Sequence, residues 1–269
     1  MSDTLTLWRR HDAMEQRLSA ALSARMLALA ELQPGMRVLD LACGRGEPAI
    51  PAAYAVGAQG SVLGIDADPD VLQLARARAE REGLRQIRFE AVAAEQLEQL
   101  GEAPFDRVLS RWGLMYLADP LAVLRALTRV MRPEGWLVLA LWAEPARVDY
   151  YTLPRQLLAR YTEVEPVRPA LTGTFRYSEM AVIERDLHAS GWLIDQLEEH
   201  YVAVAEAETP EALLDWILDF GLRRLLATQP ESVVQAWRLA MREALVQLPV
   251  TDGCRRLGGV TRVLRARPR

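Results

Sequence analysis

The sequence predicts an α/β fold in which a mainly parallel sheet carries helices on both faces. Three observations lead there. Short apolar runs alternate with helix-period segments from residue 36 to 142, and such alternation joins neighbouring strands through crossover helices. The first apolar run leads straight into an acid and a glycine turn, Val38-Leu39-Asp40-Leu41-Ala42-Cys43-Gly44-Arg45-Gly46. Open α/β sheets bind their ligands at that carboxyl edge. The chain has 269 residues, 51% hydrophobic and 25% charged, enough to bury one large core without requiring a second.

The elements follow in order. Residues 5–32 form a helix, with Trp8, His11, Glu15, Leu18, Leu22, Met26 and Leu29 at three- and four-residue steps. Pro34-Gly35 ends it. Strands are expected at 37–42, 61–66, 87–92, 105–110 and 136–142, and helices at 46–57, 69–82 and 120–131. In the helix at 69–82, Val71, Leu72, Ala75 and Ala79 make the apolar stripe and Arg76, Arg78 and Arg81 stay wet. Arg132-Pro133-Glu134-Gly135 has the residues of a type I turn. After residue 142 the rhythm changes. A Pro-punctuated aromatic insertion leads to a helix at 178–190, which Gly191 caps, then to a sixth strand at 193–204. A helical pair, 209–227 and 230–247, precedes a seventh strand at 260–266. Arg262, Arg265, Arg267 and Arg269 read as the wet side of that strand plus a frayed tail. The expected organisation is a helical cap (1–35), a cofactor-binding core (36–142) and lid insertions with the last two strands (143–269), all one structural domain.

Composition excludes several functions. A net charge of −4 argues against a nucleic-acid partner, which needs a basic face. No lysine occurs, so Schiff-base chemistry is absent. Two cysteines, Cys43 and Cys254, make no disulfide framework and fit a reducing compartment. No apolar run approaches a membrane span and the N-terminus lacks a signal-peptide pattern, so a cytoplasmic protein without a membrane partner is expected.

Gly44, Gly46 and Ala49 match a G-x-G-x-x-A turn, by itself a weak sign of a dinucleotide. Glu47 argues against one, because a pyrophosphate needs bare N–H groups and positive potential at the helix start. A site lined by Asp40 and Glu47 suits a cationic ligand. Asp66 ends the second strand twenty residues after Gly46, where a carboxylate takes both hydroxyls of a ribose.

With these residues the chain resembles the class I S-adenosylmethionine-dependent methyltransferases, in the branch of quinone-biosynthesis and small-molecule enzymes. The matching pieces are Val38 to Gly46, Gly64-Ile65-Asp66, Phe105 to Met115 and Leu127 to Leu141, covering about residues 36–142. The resemblance implies a Rossmann-like, seven-stranded sheet whose last strand runs antiparallel, and S-adenosylmethionine as cofactor. It implies that Asp66 takes the ribose and that Ala67 packs on adenine. It places the Ala42, Gly44 and Gly46 backbone and that of Ser110 and Arg111 at the methionine end, with Asp40 toward the ammonium. Where this branch commonly has Asp-Ala after the third strand, this chain has Ala93-Ala94. The Ala94 N–H still reaches an adenine nitrogen; Glu95 either replaces the missing acid or is a solvated surface group.

The acceptor side is read from aromatics, since 10 of 18 lie in 143–258. Tyr150, Tyr151, Trp216 and Phe220 wall an apolar planar substrate or pack a core, and Arg111, Trp112 and Met115 face the pocket or pack the strand exit. Trp8 shares a helical face with His11, which is a general base for a protonated acceptor or a packing residue. No metal is expected, and a homodimer is compatible. The leading expectation is O-methylation of a small aromatic or polyketide-like molecule. Carbon methylation comes next, followed by a cofactor-binding cyclase or isomerase and then a nucleotide-dependent oxidoreductase.

Overall fold

The central strands form where β-branched and leucine side chains are buried on both faces. The computed structural model describes residues 3–101, 104–165 and 173–269. In it β1 (Arg37–Leu41), β2 (Ser61–Asp66), β3 (Ile87–Ala91), β4 (Phe105–Arg111) and β5 (Met131–Trp142) are joined in parallel. Val38, Leu39, Leu41, Ile65, Val108, Leu109 and Leu137 are fully buried, as strands covered on both sides require. The helices α2 (Ala49–Val56), α3 (Pro69–Arg81) and α4 (Pro120–Val130) are the crossovers. Asp68 caps α3 by accepting the Asp70 N–H, and Asp119 caps α4 by accepting the Ala122 N–H. β6 (Trp192–Ala207), β7 (Val250–Thr251) and β8 (Cys254–Pro268) complete the sheet among the described residues. The strand order is β3-β2-β1-β4-β5-β8-β6, with the two-residue β7 paired to β8. β8 runs antiparallel to β5, Leu137 facing Ala266 and Trp142 facing Thr261. The Rossmann-like α/β architecture and its reversed last strand are as expected.

Several local expectations are corrected. α2 begins at Ala49 rather than 46, because Gly44 and Gly46 take φ of +52° and +92°, values outside the right-handed helix. Residues 132–135 lie inside β5, bulging between the pairs Phe105–Met131 and Arg107–Trp136. The helix expected at 209–227 is broken into α7 (Pro210–Trp216), a π-turn (Ile217–Gly221) and α8 (Arg223–Leu226). The aromatic insertion holds an unforeseen helix, α5 (Asp149–Leu158), despite Pro154 within it. The remaining helices are α1 (Asp3–Leu29), α6 (Met180–Ala189) and α9 (Glu231–Val246). Arg262 and Arg265 are not on a wet face: they are 4% and 7% exposed. Arg262 donates to Glu199 and to the Ser178 carbonyl, and Arg265 to Asp195 and Glu31, with its guanidinium 4.1 Å from the Trp136 ring centre. Carboxylates from β6 and from Glu31 in the turn after α1 bring these arginines inward.

By contacts the chain divides into two units, and α1, β6 and β8 each give residues to both. The first holds Ala20–Trp142, Pro169–His200 and Thr261–Arg269; the second holds Met1–Ser19, Ala143–Arg168 and Tyr201–Val260. The core of the second unit is its own, built on Leu158, Ile217, Trp237, Met241 and Leu245.

Candidate functional site

In the first unit, three strand ends are tied into one cradle. The Gly44 N–H donates to Asp66 Oδ2 at 2.9 Å and the Asp68 N–H to Asp66 Oδ1 at 3.0 Å. Each carboxylate oxygen keeps a lone pair for a further donor. Ala42 and Trp112, both non-glycine, take φ of +56° directly after β1 and β4, a conformation that costs energy and gathers at functional sites. Gly113 makes their approach feasible, since a Cβ there would stand 2.6 Å from Ala42 Cβ. Ser110 Oγ donates to the Leu41 carbonyl at 2.9 Å and joins the same two strands. At Gly46 a Cβ would meet Ile50 Cδ1 at 2.8 Å, and at Gly64 it would meet Cys43 Sγ at the same distance. These glycines let the turn lie flat on the sheet edge.

The charges in this cradle fall into two kinds. Glu47 is satisfied: Arg78 Nη1 donates to Oε1 at 2.8 Å and Ser23 Oγ to Oε2 at 2.7 Å. The expectation that Glu47 lines a cationic site is therefore corrected, because α3 and α1 supply its partners. Asp40 is different. It is 0% exposed, and neither oxygen makes a hydrogen bond of good geometry among the described residues. Burial pushes its carboxyl well above the usual range; Arg111 and an approaching Ala49 N–H pull it down, while Glu47 and Asp66 push it further up. Arg111 is its counterpart: Nε and Nη1 are buried without a partner among the described residues, and burial lowers its pKa against the pull of Glu47 and Asp40. The Cys43 thiol is buried and pushed well up by burial, then by Asp40, so it stays protonated.

Other expected site residues take definite places. Ala67 is exposed, Ala93 is half-buried and Ala94 is buried. Glu95 Oε1 accepts the Ala118 N–H at 3.0 Å, so this acid ties down the loop after β4. The Met115 side chain is buried and its carbonyl accepts the Gly173 N–H at 3.0 Å. Trp112 stacks on Trp142 with ring centres 4.4 Å apart and 12° between planes, and donates Nε1–H to Thr261 at 3.2 Å.

The second unit brings together the remaining expected residues. His11 Nε2 lies 2.8 Å from Asp219 Oδ2, and Arg10 Nη1 lies 3.5 Å from the same oxygen. Phe220 joins Trp8 (4.6 Å), His11 (5.2 Å, edge-on) and Trp216 (5.6 Å), and Tyr150 meets Trp216 at 6.3 Å and Tyr151 at 6.2 Å. Arg155 lies 3.7 Å over the Tyr151 ring. The Trp216 Nε1–H is buried without an acceptor among the described residues. A cavity of about 590 Å³ is lined by Asp219 with Leu7, Leu218, Leu226, Val234 and Arg238, within the size range of small-molecule sites. Sequence reasoning missed Asp219, 208 residues from His11, and Arg78, which neutralises Glu47. A carboxylate one residue before the expected Phe220 was the available signal for the first; none existed for the second.

Residues 32–166, half of the chain, match the family model described as a methyltransferase domain. The chain belongs to that family, the class I S-adenosylmethionine-dependent methyltransferases, and its cofactor is S-adenosylmethionine. It is 34% identical over 125 residues to aklanonic acid methyltransferase of Streptomyces sp. strain C5, covering 46% of this chain and 56% of that protein. It is 27% identical over 223 residues to nocamycin O-methyltransferase of Saccharothrix syringae, 79% of each chain. The chain spans about half the length of the first curated relatives it matches. The YcgJ protein of Bacillus subtilis shares the fold, with TM-score 0.58 and 16% identity over 92% of this chain and 97% of that one.

Proposed function

We propose that this protein transfers the methyl group of S-adenosylmethionine to an oxygen of a small, largely apolar acceptor of aromatic or polyketide type. The observation that carries the reading is the hydrogen-bonded pair His11–Asp219 set among Trp8, Phe220 and Trp216. When bound, the cofactor supplies an activated methyl group. The protein's residues must hold the two reactants in line, exclude water and receive a proton.

The cradle residues fit the cofactor. Asp66, with a lone pair left on each oxygen, takes the ribose hydroxyls. The Ala42, Gly44 and Gly46 backbone and Ser110 border the methionine portion. Ala67 and Ala94 flank adenine, with Glu95 serving as a strut beside them. The unpartnered carboxylate of Asp40 receives the ammonium. The acceptor is gripped by flat apolar surface from Trp8, Tyr150, Tyr151, Trp216 and Phe220, and the free Trp216 N–H offers a hydrogen bond to an acceptor oxygen. Trp112 and Met115 stiffen the strand exit.

A phenol or enol must lose its proton as the methyl arrives. Asp219 accepts from His11 Nε2–H, which leaves Nδ1 as the basic nitrogen facing away from the carboxylate. The same arrangement serves an acidic carbon, so carbon methylation is the alternative. The names of the aklanonic acid and nocamycin enzymes support a small-molecule acceptor. The test is a panel of phenols, enols and quinols incubated with the cofactor and read by mass for the gain of one methyl. Phenol and enol ethers support the reading. Methylation confined to carbon selects the alternative, and a product formed without methyl gain refutes both.

A further inference from the structure

The cavity of about 590 Å³ in the second unit carries a cation that its own wall does not answer. Arg238 lines it with Nε buried and without a partner, and no described residue bonds to or pairs with its guanidinium. A charged donor left so costs free energy unless something accepts from it. The acids on the wall are spent or distant. Asp219 Oδ2 is taken by His11 at 2.8 Å and by Arg10 at 3.5 Å. Glu231 accepts from Gln235 on the same helix and stands about 10 Å from Arg238 along the α9 axis. Leu7, Leu218, Leu226 and Val234 give the cavity apolar sides. Leu218 and Asp219 reach it from the π-turn, a distortion of the helix that gathers at functional sites. Asp219 also connects this cavity to the base, since the carboxylate that lines it is the one that holds His11.

A molecule that fits these walls must bury apolar surface and end in negative charge. A neutral apolar molecule leaves Arg238 unanswered, and a small polyanion leaves the leucines wet. We propose that Arg238 sets the class of the acceptor: an apolar organic acid whose carboxylate pairs with this guanidinium while its body lies along Leu218, Leu226 and Val234. The planar guanidinium fork matches the two oxygens of a carboxylate. Val234 and Arg238 lie four residues apart on one face of α9, so apolar and charged contacts come to the ligand from the same helix. The proposal rests on the methyl-transfer reading above and narrows it from a largely apolar acceptor to one that also carries an acid. Arg238 is then a specificity residue, separate from the His11–Asp219 pair.

Calorimetry on the intact protein tests this with two planar acids, 6-hydroxy-2-naphthoic acid and 4′-hydroxybiphenyl-4-carboxylic acid, each beside its neutral carboxamide. The acids should bind about tenfold more tightly than the amides, or better, the scale of a hydrogen bond between charged groups. Arg238→Gln should erase that difference by weakening the acids alone, and Arg238→Lys should restore part of it. Acids and amides that bind alike overturn the proposal, as does failure of both acids to bind. So does an Arg238→Gln that weakens acids and amides equally, which marks a structural role, or inorganic phosphate that displaces the acids at their own concentration, which marks a general anion site. Mass measurement with S-adenosylmethionine separates this from the reading it rests on. Amides that gain a methyl as fast as the acids remove Arg238 from specificity and leave the methyl-transfer reading intact. Acids held through Arg238 that never gain a methyl refute their part as acceptors while the site itself stands.

Discussion

The two units of the molecule treat charge in opposite ways. In the first, around β1 and β4, Asp40 and the Arg111 atoms Nε and Nη1 are buried without a hydrogen-bond partner among the described residues, close to Glu47, whose two oxygens are both engaged. In the second, His11 and Asp219 bond each other among aromatic rings. An unanswered buried charge signals that a ligand completes it, whereas a satisfied polar pair set in apolar rings signals a residue being oriented. The contrast suits one charged ligand, the same at every turnover, and one apolar ligand.

Breaking the oriented pair should give the largest effect. His11→Ala is expected to lower turnover about 10²- to 10⁴-fold, the usual contribution of a general base, with S-adenosylhomocysteine affinity unchanged. Asp219→Asn should lower turnover less and displace the pH profile of kcat. Normal turnover in His11→Ala returns that residue to packing and removes the contrast.

The next effect concerns Asp66. Asp66→Ala removes the acceptor for the Gly44 and Asp68 N–H groups as well as the ribose partner, and should weaken S-adenosylhomocysteine about 100-fold by calorimetry. Circular dichroism should show the fold retained.

Asp40→Asn should sharpen the comparison, because it separates stability from binding. Burial raises the Asp40 pKa, so the ligand-free fold holds that proton more tightly than the unfolded chain does. The resulting stability is full below the unfolded pKa of about 4 and is lost as pH rises through the raised value. The amide removes that loss. The ligand-free variant is expected to melt higher than wild type at neutral and alkaline pH, yet to bind S-adenosylhomocysteine at least about tenfold more weakly. A lower melting temperature at pH 8 would show that Asp40 is answered within the ligand-free protein.

The smallest effect belongs to a charge that is already paired. Hydrogen bonding by Arg25, then by His200, draws Glu198 down to about 2. Its contribution is present above the usual glutamate range and disappears as pH falls through about 2. The pair is solvent-screened, so Glu198→Gln should cost less than about 1 kcal/mol at pH 7. Urea unfolding at pH 7 and pH 2 should show the difference shrinking to nothing.

Much of the fold was legible because its signals are local. Alternation of apolar runs with helical stripes, the Pro34-Gly35 break and the caps Asp68 and Asp119 act within a few residues of where they stand. The π-turn at Ile217–Gly221 and the long bulge at 132–135 were not legible, since neighbouring elements decide them. Arg262 and Arg265 make the same point: their sequence context reads as surface, but β6 and the turn after α1 place carboxylates against them.

The sequence by itself determined the class of sheet, the glycine turn after β1 and the acid at the end of β2. Each depends only on the dihedral freedom, hydrophobic period and charge of adjacent residues. Only the tertiary structure decided which acids are spent and which are free. Glu47 is answered by Arg78 from α3, whereas Asp40, seven positions earlier in the same run, is left unanswered beside Arg111. Hydrogen bonding is short-ranged, so whether a carboxylate has a partner depends on chain segments tens of residues away.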